Sequence, residues 1–206
     1  MAKITTINKN STLEKLIFVG LCILTFFPPF FRGLFFEKEL LPTHIFSFAL
    51  GIIWITVNLK NKSYKLIKTP TDFLALGVVS MYIVSIFYAV NTRLAILEAF
   101  KYMNYFLIYV FARDVVNDKN RNTVFNVLIA SAFIVSIIGI GSAIGTLNYN
   151  GAFVSNRVNS TFQYPNTLAS YLGVVFIITI SMILREKNRK LKSGYSFLSS
   201  IILLTL

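Results

Sequence analysis

Residues 124–147 read VFNVLIASAFIVSIIGIGSAIGTL, a run of 24 residues without a charged side chain. A membrane-spanning helix needs about 20 consecutive, mostly apolar residues, and this run meets that requirement. The rest of the 206-residue chain follows the same pattern, because 55% of its residues are hydrophobic and only 14% are charged. About a quarter of the residues of an ordinary soluble domain are charged, so this composition excludes a soluble enzyme and a disordered chain.

Six runs have the length and apolarity of a membrane span, and a seventh apolar stretch is too short to cross. The runs cover residues 16–31, 43–59, 73–90, 94–112, 124–147 and 167–184, and the partial seventh covers 197–206. The loops between them are short and no internal repeat is visible. We therefore expect residues 1–206 to form a single membrane domain, an all-α polytopic transmembrane helix bundle. Proline disrupts a helix, so the pair Pro28-Pro29 predicts that the first helix ends or kinks there.

Lysine and arginine alternate between the two ends of the predicted spans. Fifteen of the 20 basic residues lie before the first span or in the second-to-third, fourth-to-fifth and sixth-to-seventh connections, and 4 lie in the other connections. Cytoplasmic loops carry such an excess, so the pattern predicts a cytoplasmic N-terminus. The net charge of +12 is then explained by the basic loops on the cytoplasmic side, next to the membrane lipids. We therefore expect no nucleic-acid partner.

Two ionisable residues lie within the fourth predicted span. Glu98 and Lys101 are three residues apart, so they share a helix face and can pair. Ionisable residues within spans usually line a cavity or pathway. Two interpretations stay open, a self-satisfied structural ion pair and the lining of an outward-facing site.

Other residue types that often have catalytic or binding roles are expected to have structural roles here. His44 is the only histidine, and we expect it at the membrane interface where the second span begins. Gly141 and Gly145 have the spacing that lets two helices approach closely. The sequence shows no metal-ligand spacing, no phosphate-binding glycine loop and no nucleophile–base pair, so it predicts no cofactor and no metal.

The connection 148–166 is predicted on the outer side and is rich in amide and hydroxyl side chains. Arg157 is its one cation. Pro165 and Asn166 are residue types that begin a helix, and the free N–H groups of a helix start favour an anion. Arginine can bind two phosphate oxygens at once. The pattern indicates either a site for a phosphate-bearing ligand or a polar loop that meets water.

The segment 157–172, RVNSTFQYPNTLASYL, resembles the loop-and-helix segment of bacterial O-antigen ligase-like and polysaccharide polymerase membrane proteins. The stretches TPTDF (69–73), YAVN (88–91) and EAFKY (98–102) are similar to other parts of these proteins. The resemblance implies a membrane glycosyltransferase or polymerase of cell-surface polysaccharide biosynthesis. Such an enzyme moves a glycan from an undecaprenyl-diphosphate carrier to a glycan or lipid acceptor, without a metal, at the outer face of the cytoplasmic membrane.

The resemblance also implies a bundle with more spans and a late external loop that carries an essential histidine and arginine. That loop has no counterpart here, so we expect an N-terminal portion that is inactive alone, with its catalytic residues unknown. His44 is not assigned the role of the catalytic histidine. The candidate substrate-binding residues are Arg157, Gln163, Asn166, Arg93, Lys101 and Glu98.

Two other classes of protein stay open. One is a polytopic transporter or flippase of lipid-linked sugars, and the other is a non-catalytic membrane remnant. A transporter of this kind is typically built from inverted repeats with broken helices near the bilayer midplane, and the sequence shows neither feature.

Overall fold

A computed structural model of the chain describes residues 11–60 and 66–206. Within them the protein is all-α, with seven α-helices and one small β-hairpin. The helices are α1 (Ser11–Phe26), α2 (Glu37–Lys60), α3 (Pro70–Ser85), α4 (Thr92–Val115), α5 (Arg121–Ala143), α6 (Pro165–Arg185) and α7 (Arg189–Thr205). The strands are β1 (Phe153–Val154) and β2 (Arg157–Val158). Lys3, Lys9, Lys62 and Lys65, which contribute to the charge pattern, lie outside the described residues.

Five of the described helical segments are long and apolar enough to cross a membrane. They are Thr12–Phe30, Glu37–Lys60, Thr92–Val115, Arg121–Ala143 and Pro165–Arg185. Only 22–39% of the apolar part of each segment is buried within the chain, so most of its surface is free to face lipid. By the length and composition of these helices, the chain is a multi-pass membrane protein. The helix α3 has 16 residues and is shorter, so the expected number of six spans stays a prediction.

Local chemistry explains where the helices begin and end. α1 stops at Phe26, and a 3₁₀ turn at Pro28–Phe30 follows, which confirms the prediction from the proline pair. α3 begins with a capping box, in which Thr69 and Asp72 satisfy each other's backbone N–H groups, and α6 begins at Pro165. α5 ends at Ala143, four residues before the predicted end of that span.

The glycines near the end of α5 do not form the expected pair on one helix. Gly145 lies beyond the helix with a φ of +76°, and a Cβ at Gly141 would meet Leu147 of the turn that follows. Gly139 makes the close approach instead, because a Cβ there would lie 2.9 Å from Val158 and 3.1 Å from Thr205. The small residue therefore lets β2 and the end of α7 pack against α5.

The described helices group into two compact units. The first comprises residues up to 21 and 41–116, where α3 packs against α4 and Gly20 lies against Leu50. The second comprises residues 22–40 and 117–206, where α5, α6 and α7 pack together around one apolar core. The buried members of that core are Ile129, Ala132, Val135, Phe162, Leu168, Leu172, Val175, Met182 and Ile202.

His44 does not lie at the start of its helix. α2 begins seven residues earlier, at Glu37, so His44 lies two turns inside the helix. Its side chain is only 9% exposed, and its ring centroid is 6.3 Å from that of Phe48. α2 begins before the apolar run that starts at residue 43, so the expected position of His44 at the membrane interface stays a prediction.

Candidate functional site

The connection between α5 and α6 folds into a hairpin that positions Arg157. β1 and β2 are joined by Ser155 and Asn156, whose φ angles are +50° and +62°. Two residues with positive φ give the two-residue turn whose twist matches a β-hairpin, and asparagine tolerates that conformation well. Arg157 is the first residue after this turn, and its side chain is exposed.

Arg157 and the start of α6 line one cavity, with a volume of about 530 Å³. Asn166 contributes to the same lining, together with Val158, Pro165, Leu168, Ala169, Thr205 and Leu206. Tyr164 precedes the helix but makes no side-chain capping bond to it. A helix start without a side-chain cap attracts negative charge through its N–H groups and its dipole. The cavity therefore combines a guanidinium group with a helix N-terminus.

Gln163 lines a second cavity, whose lining residues differ from those of the first. This cavity has a volume of about 450 Å³. Its lining residues are Arg32, Tyr149, Asn150, Gly151, Val154, Asn159, Ser160, Thr161, Phe162 and Gln163. The structure therefore separates Gln163 from Arg157 and Asn166, which the sequence analysis had grouped together.

The sequence analysis missed Arg32 as a site residue and used it only as a topological charge. Arg32, Gly33 and Leu34 have φ angles of +53°, +67° and +60°, and Arg32 forms an isolated parallel bridge with Phe162. The guanidinium lies 5.2 Å from the ring centroid of Phe36 and 3.8 Å from Glu39. One feature of the sequence could have indicated this role of Arg32. It is followed directly by Gly33, in the turn after Pro28 and Pro29.

The glycine at position 33 allows this turn to approach the cavity wall closely. Its φ of +67° is rarely adopted by other residues, and a Cβ there would lie 2.8 Å from the Phe162 ring. The Phe162 ring packs in turn against Tyr171, with ring centroids 5.5 Å apart. The wall of the second cavity is thus held by close packing of the turn on a buried aromatic residue.

The other predicted site residues lie on α4, in the first unit. Glu98 and Lys101 form the expected ion pair, with the Lys101 Nζ 3.0 Å from the nearer carboxylate oxygen. Their side chains are 48% and 32% exposed. Arg93 is the second residue of α4, just after the N-cap Asn91, which accepts a hydrogen bond from the Leu94 N–H. The roles of these three residues in substrate binding stay predictions.

A polar cluster joins α2, α3 and α4, and the sequence analysis did not find it. Asp72 is fully buried and accepts hydrogen bonds from the Tyr109 hydroxyl and from the backbone N–H groups of Lys68 and Thr69. The guanidinium of Arg113 completes its set of partners. Burial acts to raise the pKa of the Asp72 carboxyl, but these hydrogen bonds outweigh burial and hold the pKa well below its usual range.

Asp114 is the second acid of this polar cluster. It accepts hydrogen bonds from Arg113, from the Lys68 ammonium at 2.8 Å and from the Trp54 indole at 3.0 Å. Most donors of the cluster are therefore directed at one of the two carboxylates, and Arg113 also donates to the carbonyl oxygen of Leu66. Such mutual satisfaction of charges and donors is typical of a structural network.

Within residues 11–60 and 66–206, no group of three or more histidine, cysteine, aspartate or glutamate side chains is arranged to hold a metal ion. Comparison of the chain with protein-family models, with curated proteins and with solved structures finds no match. The function is therefore inferred from the geometry of the loop and from the resemblance of its sequence.

Proposed function

We propose that the chain is part of an O-antigen ligase-like membrane glycosyltransferase or polymerase. Its donor would be a glycan on an undecaprenyl-diphosphate carrier, and its acceptor a glycan or a lipid at the outer face of the cytoplasmic membrane. The observation that supports this proposal is the cavity that Arg157 shares with the start of α6. A carrier diphosphate needs cationic and N–H partners of this kind.

The proposal gives Arg157 and the helix start a binding role. In an inverting transfer, an acceptor hydroxyl attacks the anomeric carbon, the bond to the diphosphate breaks, and a base takes the hydroxyl proton. Arg157 and the N–H groups of α6 would stabilise the negative charge on the departing diphosphate. The base is not assigned to any residue of this chain.

The proposed topology has six spans and a partial seventh, with the N-terminus in the cytoplasm. The support comes from the charge pattern, because 15 basic residues lie on one side and 4 on the other. In this orientation the α5–α6 hairpin lies on the outer side, where the carrier presents its glycan. The third span would use α3 together with the residues that follow Ser85.

The proposal is tested by measuring binding of undecaprenyl diphosphate to the purified chain in lipid nanodiscs. Losing a charged hydrogen bond costs about 2–3 kcal/mol, so Arg157→Ala should weaken binding roughly 30- to 150-fold. Arg157→Lys should recover only part of the affinity, because lysine cannot bind two phosphate oxygens in a fork. Arg189→Ala is the matched control, since Arg189 is exposed at the first turn of α7. Wild-type affinity in Arg157→Ala would refute the proposed site.

A flippase would also bind the carrier, so a second measurement separates the two classes. The chain is reconstituted into liposomes with a fluorescent lipid-linked sugar, and movement of the sugar between leaflets is followed. A glycosyltransferase should not accelerate this movement. Acceleration that disappears in Arg157→Ala would favour the transporter class.

A further inference from the structure

A groove with a volume of about 360 Å³ runs between α5 and α7, within the second unit. Its walls are a face of α5 from Asn126 to Phe133 and a face of α7 from Lys190 to Leu198. Residues three or four positions apart share a helix face, and the lining residues of each helix recur at that spacing. This feature, the α5–α7 groove, is therefore a slot between two helices.

The two helices run parallel along the α5–α7 groove. The Tyr195 hydroxyl donates a hydrogen bond to Oδ1 of Asn126 at 2.8 Å. Nearer the ends of the helices, a Cβ at Gly139 would lie 3.1 Å from Thr205. A later residue of α5 thus meets a later residue of α7, so both helices begin at the same end of the groove.

The polarity of the lining changes along the groove. Lys190 is exposed in the first turn of α7, Asn126 and Tyr195 lie deeper, and the other lining residues are apolar as far as Phe133 and Leu198. From Lys190 to Leu198 the helix rises about 12 Å, and one leaflet of the hydrocarbon core is about 15 Å thick. The groove therefore matches a phospholipid, which has a charged headgroup, ester groups below it and then an acyl chain.

The charge around the helix starts determines which phospholipid fits. Residues 117–122 and 185–192, which flank the starts of α5 and α7, contain seven basic and two acidic side chains. Basic pockets between membrane helices attract anionic headgroups. A zwitterionic headgroup carries its own positive charge and would gain less from this excess.

We infer that the α5–α7 groove binds one anionic phospholipid. Lys190 binds its phosphate, and Asn126, whose Oδ1 accepts from Tyr195, donates its Nδ2 group to an ester carbonyl oxygen. One acyl chain lies in the groove beside Gly194, where an added Cβ would meet no atom within 4 Å. The inference does not rest on the proposed function, because the groove and its charge belong to α5, α7 and the residues that flank them.

Native mass spectrometry in a neutral detergent tests the inference on the purified protein. Phosphatidylglycerol and phosphatidylcholine with the same acyl chains are titrated separately, and their dissociation constants are compared. Phosphatidylglycerol should bind roughly fivefold more tightly, the effect of about one lysine beside an anionic lipid. Glycerol 3-phosphate has the phosphate without acyl chains and should not displace it. Equal affinities for the two lipids, or displacement by glycerol 3-phosphate, would overturn the inference.

Lys190→Gln and Lys192→Gln form a matched pair for the headgroup. Each removes one positive charge from an exposed lysine near the start of α7, but only Lys190 lines the groove. Lys190→Gln should weaken phosphatidylglycerol binding about tenfold, the effect of one lost charged hydrogen bond. Lys192→Gln should weaken it no more than about twofold. Equal losses would show a diffuse attraction to the basic loop and would contradict a defined site.

Gly194→Leu and Gly173→Leu form a matched pair for the acyl chain. Both glycines are helical with open space around an added Cβ, and leucine favours a helix more than glycine does. Only Gly194 lines the groove, so Gly194→Leu should weaken phosphatidylglycerol binding about tenfold, the effect of displacing two methylene groups. Gly173→Leu should not change it.

Ala130→Leu fills the groove from the α5 wall and tests the same point without altering α7. Phosphatidylglycerol should raise the melting temperature of the wild type more than that of either filled variant. Unchanged lipid binding in both filled variants would overturn the inference. So would a dimer of the wild type that Gly194→Leu dissociates, since a second copy of the protein would then occupy the groove.

The same samples distinguish this inference from the proposed function. The hairpin with Arg157 packs near the end of α5, where Gly139 lies against Val158, whereas the groove lies in the first half of that helix. Arg157→Ala should weaken carrier binding and leave phosphatidylglycerol binding unchanged, and Lys190→Gln should do the reverse. Loss of phosphatidylglycerol binding in Arg157→Ala would place the lipid in the carrier cavity and overturn the inference. If phosphatidylglycerol binds in the groove while the carrier does not bind, the lipid site stands and the glycosyltransferase proposal fails.

Discussion

The Nη1 atom of Arg113 lies 2.9 Å from Oδ2 of Asp72, so the last turn of α4 supplies the counter-charge for a fully buried carboxylate at the start of α3. The same guanidinium donates to the carbonyl oxygen of Leu66 at 2.9 Å and to Asp114. This contact fastens the entry of α3 to the exit of α4. Breaking a buried pair is costly, because the remaining charge stays in a site that excludes water.

The first prediction concerns the pH dependence of stability. The folded pKa of Asp72 lies below its unfolded value of 3.8, so its contribution is complete above that value and is lost as the pH falls through the folded pKa. The melting temperature of the wild type in detergent should therefore fall steeply below about pH 4. Asp72→Asn should melt about 5–10 °C lower at pH 7 and show a shallower acid dependence.

The control for this prediction is Asp118→Asn. The Asp118 side chain is 94% exposed, and its carboxylate pairs with Arg121. Its substitution should leave both the melting temperature at pH 7 and the acid slope close to those of the wild type. Parallel acid curves for the wild type and Asp72→Asn would show that Asp72 does not carry the dependence.

The second prediction concerns the ion pair on α4. Removing either partner leaves an unpaired charge on a helix that faces apolar lipid. The losses of stability in Glu98→Gln and in Lys101→Met should therefore add up to more than the loss in the double variant. The coupling free energy should be on the order of 0.5–1 kcal/mol, measured by unfolding in detergent. The pair Asp118 and Arg121 has the same spacing at an aqueous end and should couple more weakly. Strictly additive losses at Glu98 and Lys101 would contradict the pairing.

The local features of the fold could be predicted from the sequence because they depend on neighbouring residues. Pro28-Pro29 ends α1, Pro165 begins α6, and Glu98 pairs with Lys101 one helical turn away. In each case the feature depends only on the backbone geometry of residues within four positions of one another. The apolar runs likewise indicated membrane helices, since length and composition determine that property.

The features that join distant residues could not be predicted in this way. Arg113 meets a carboxylate 41 positions earlier in the chain, and Arg32 bridges to Phe162. The separation of Gln163 from Arg157 arises where Ser160 adopts a φ of +52° and turns the segment. A single sequence shows that these residues are polar, but it does not show which of them meet.

The third prediction is the topology. In a Cys22→Ser background, single cysteines are placed at four exposed positions: Val90, Lys119, Ser155 and Lys187. An impermeant thiol reagent should label positions 90 and 155 in whole cells, and should label positions 119 and 187 only after the membrane is opened. The expectation follows from the excess of basic residues in the connections that contain positions 119 and 187. Labelling of positions 119 and 187 in intact cells would reverse the orientation.

The last prediction tests how the second cavity is built, by comparing alanine at three glycines. Gly33 has a φ of +67° and touches Phe162, Gly145 has a φ of +76° with open space around it, and Gly173 is helical with open space. Alanine should stabilise the protein by about 0.5–1 kcal/mol at Gly173 and destabilise it by about 1–2 kcal/mol at Gly145, through backbone strain alone. Gly33→Ala adds a clash with the Phe162 ring to the same strain, so it should be the most destabilising of the three. Melting temperatures of the three variants decide the matter, and equal losses at Gly33 and Gly145 would show that the Phe162 ring moves aside without a measurable cost.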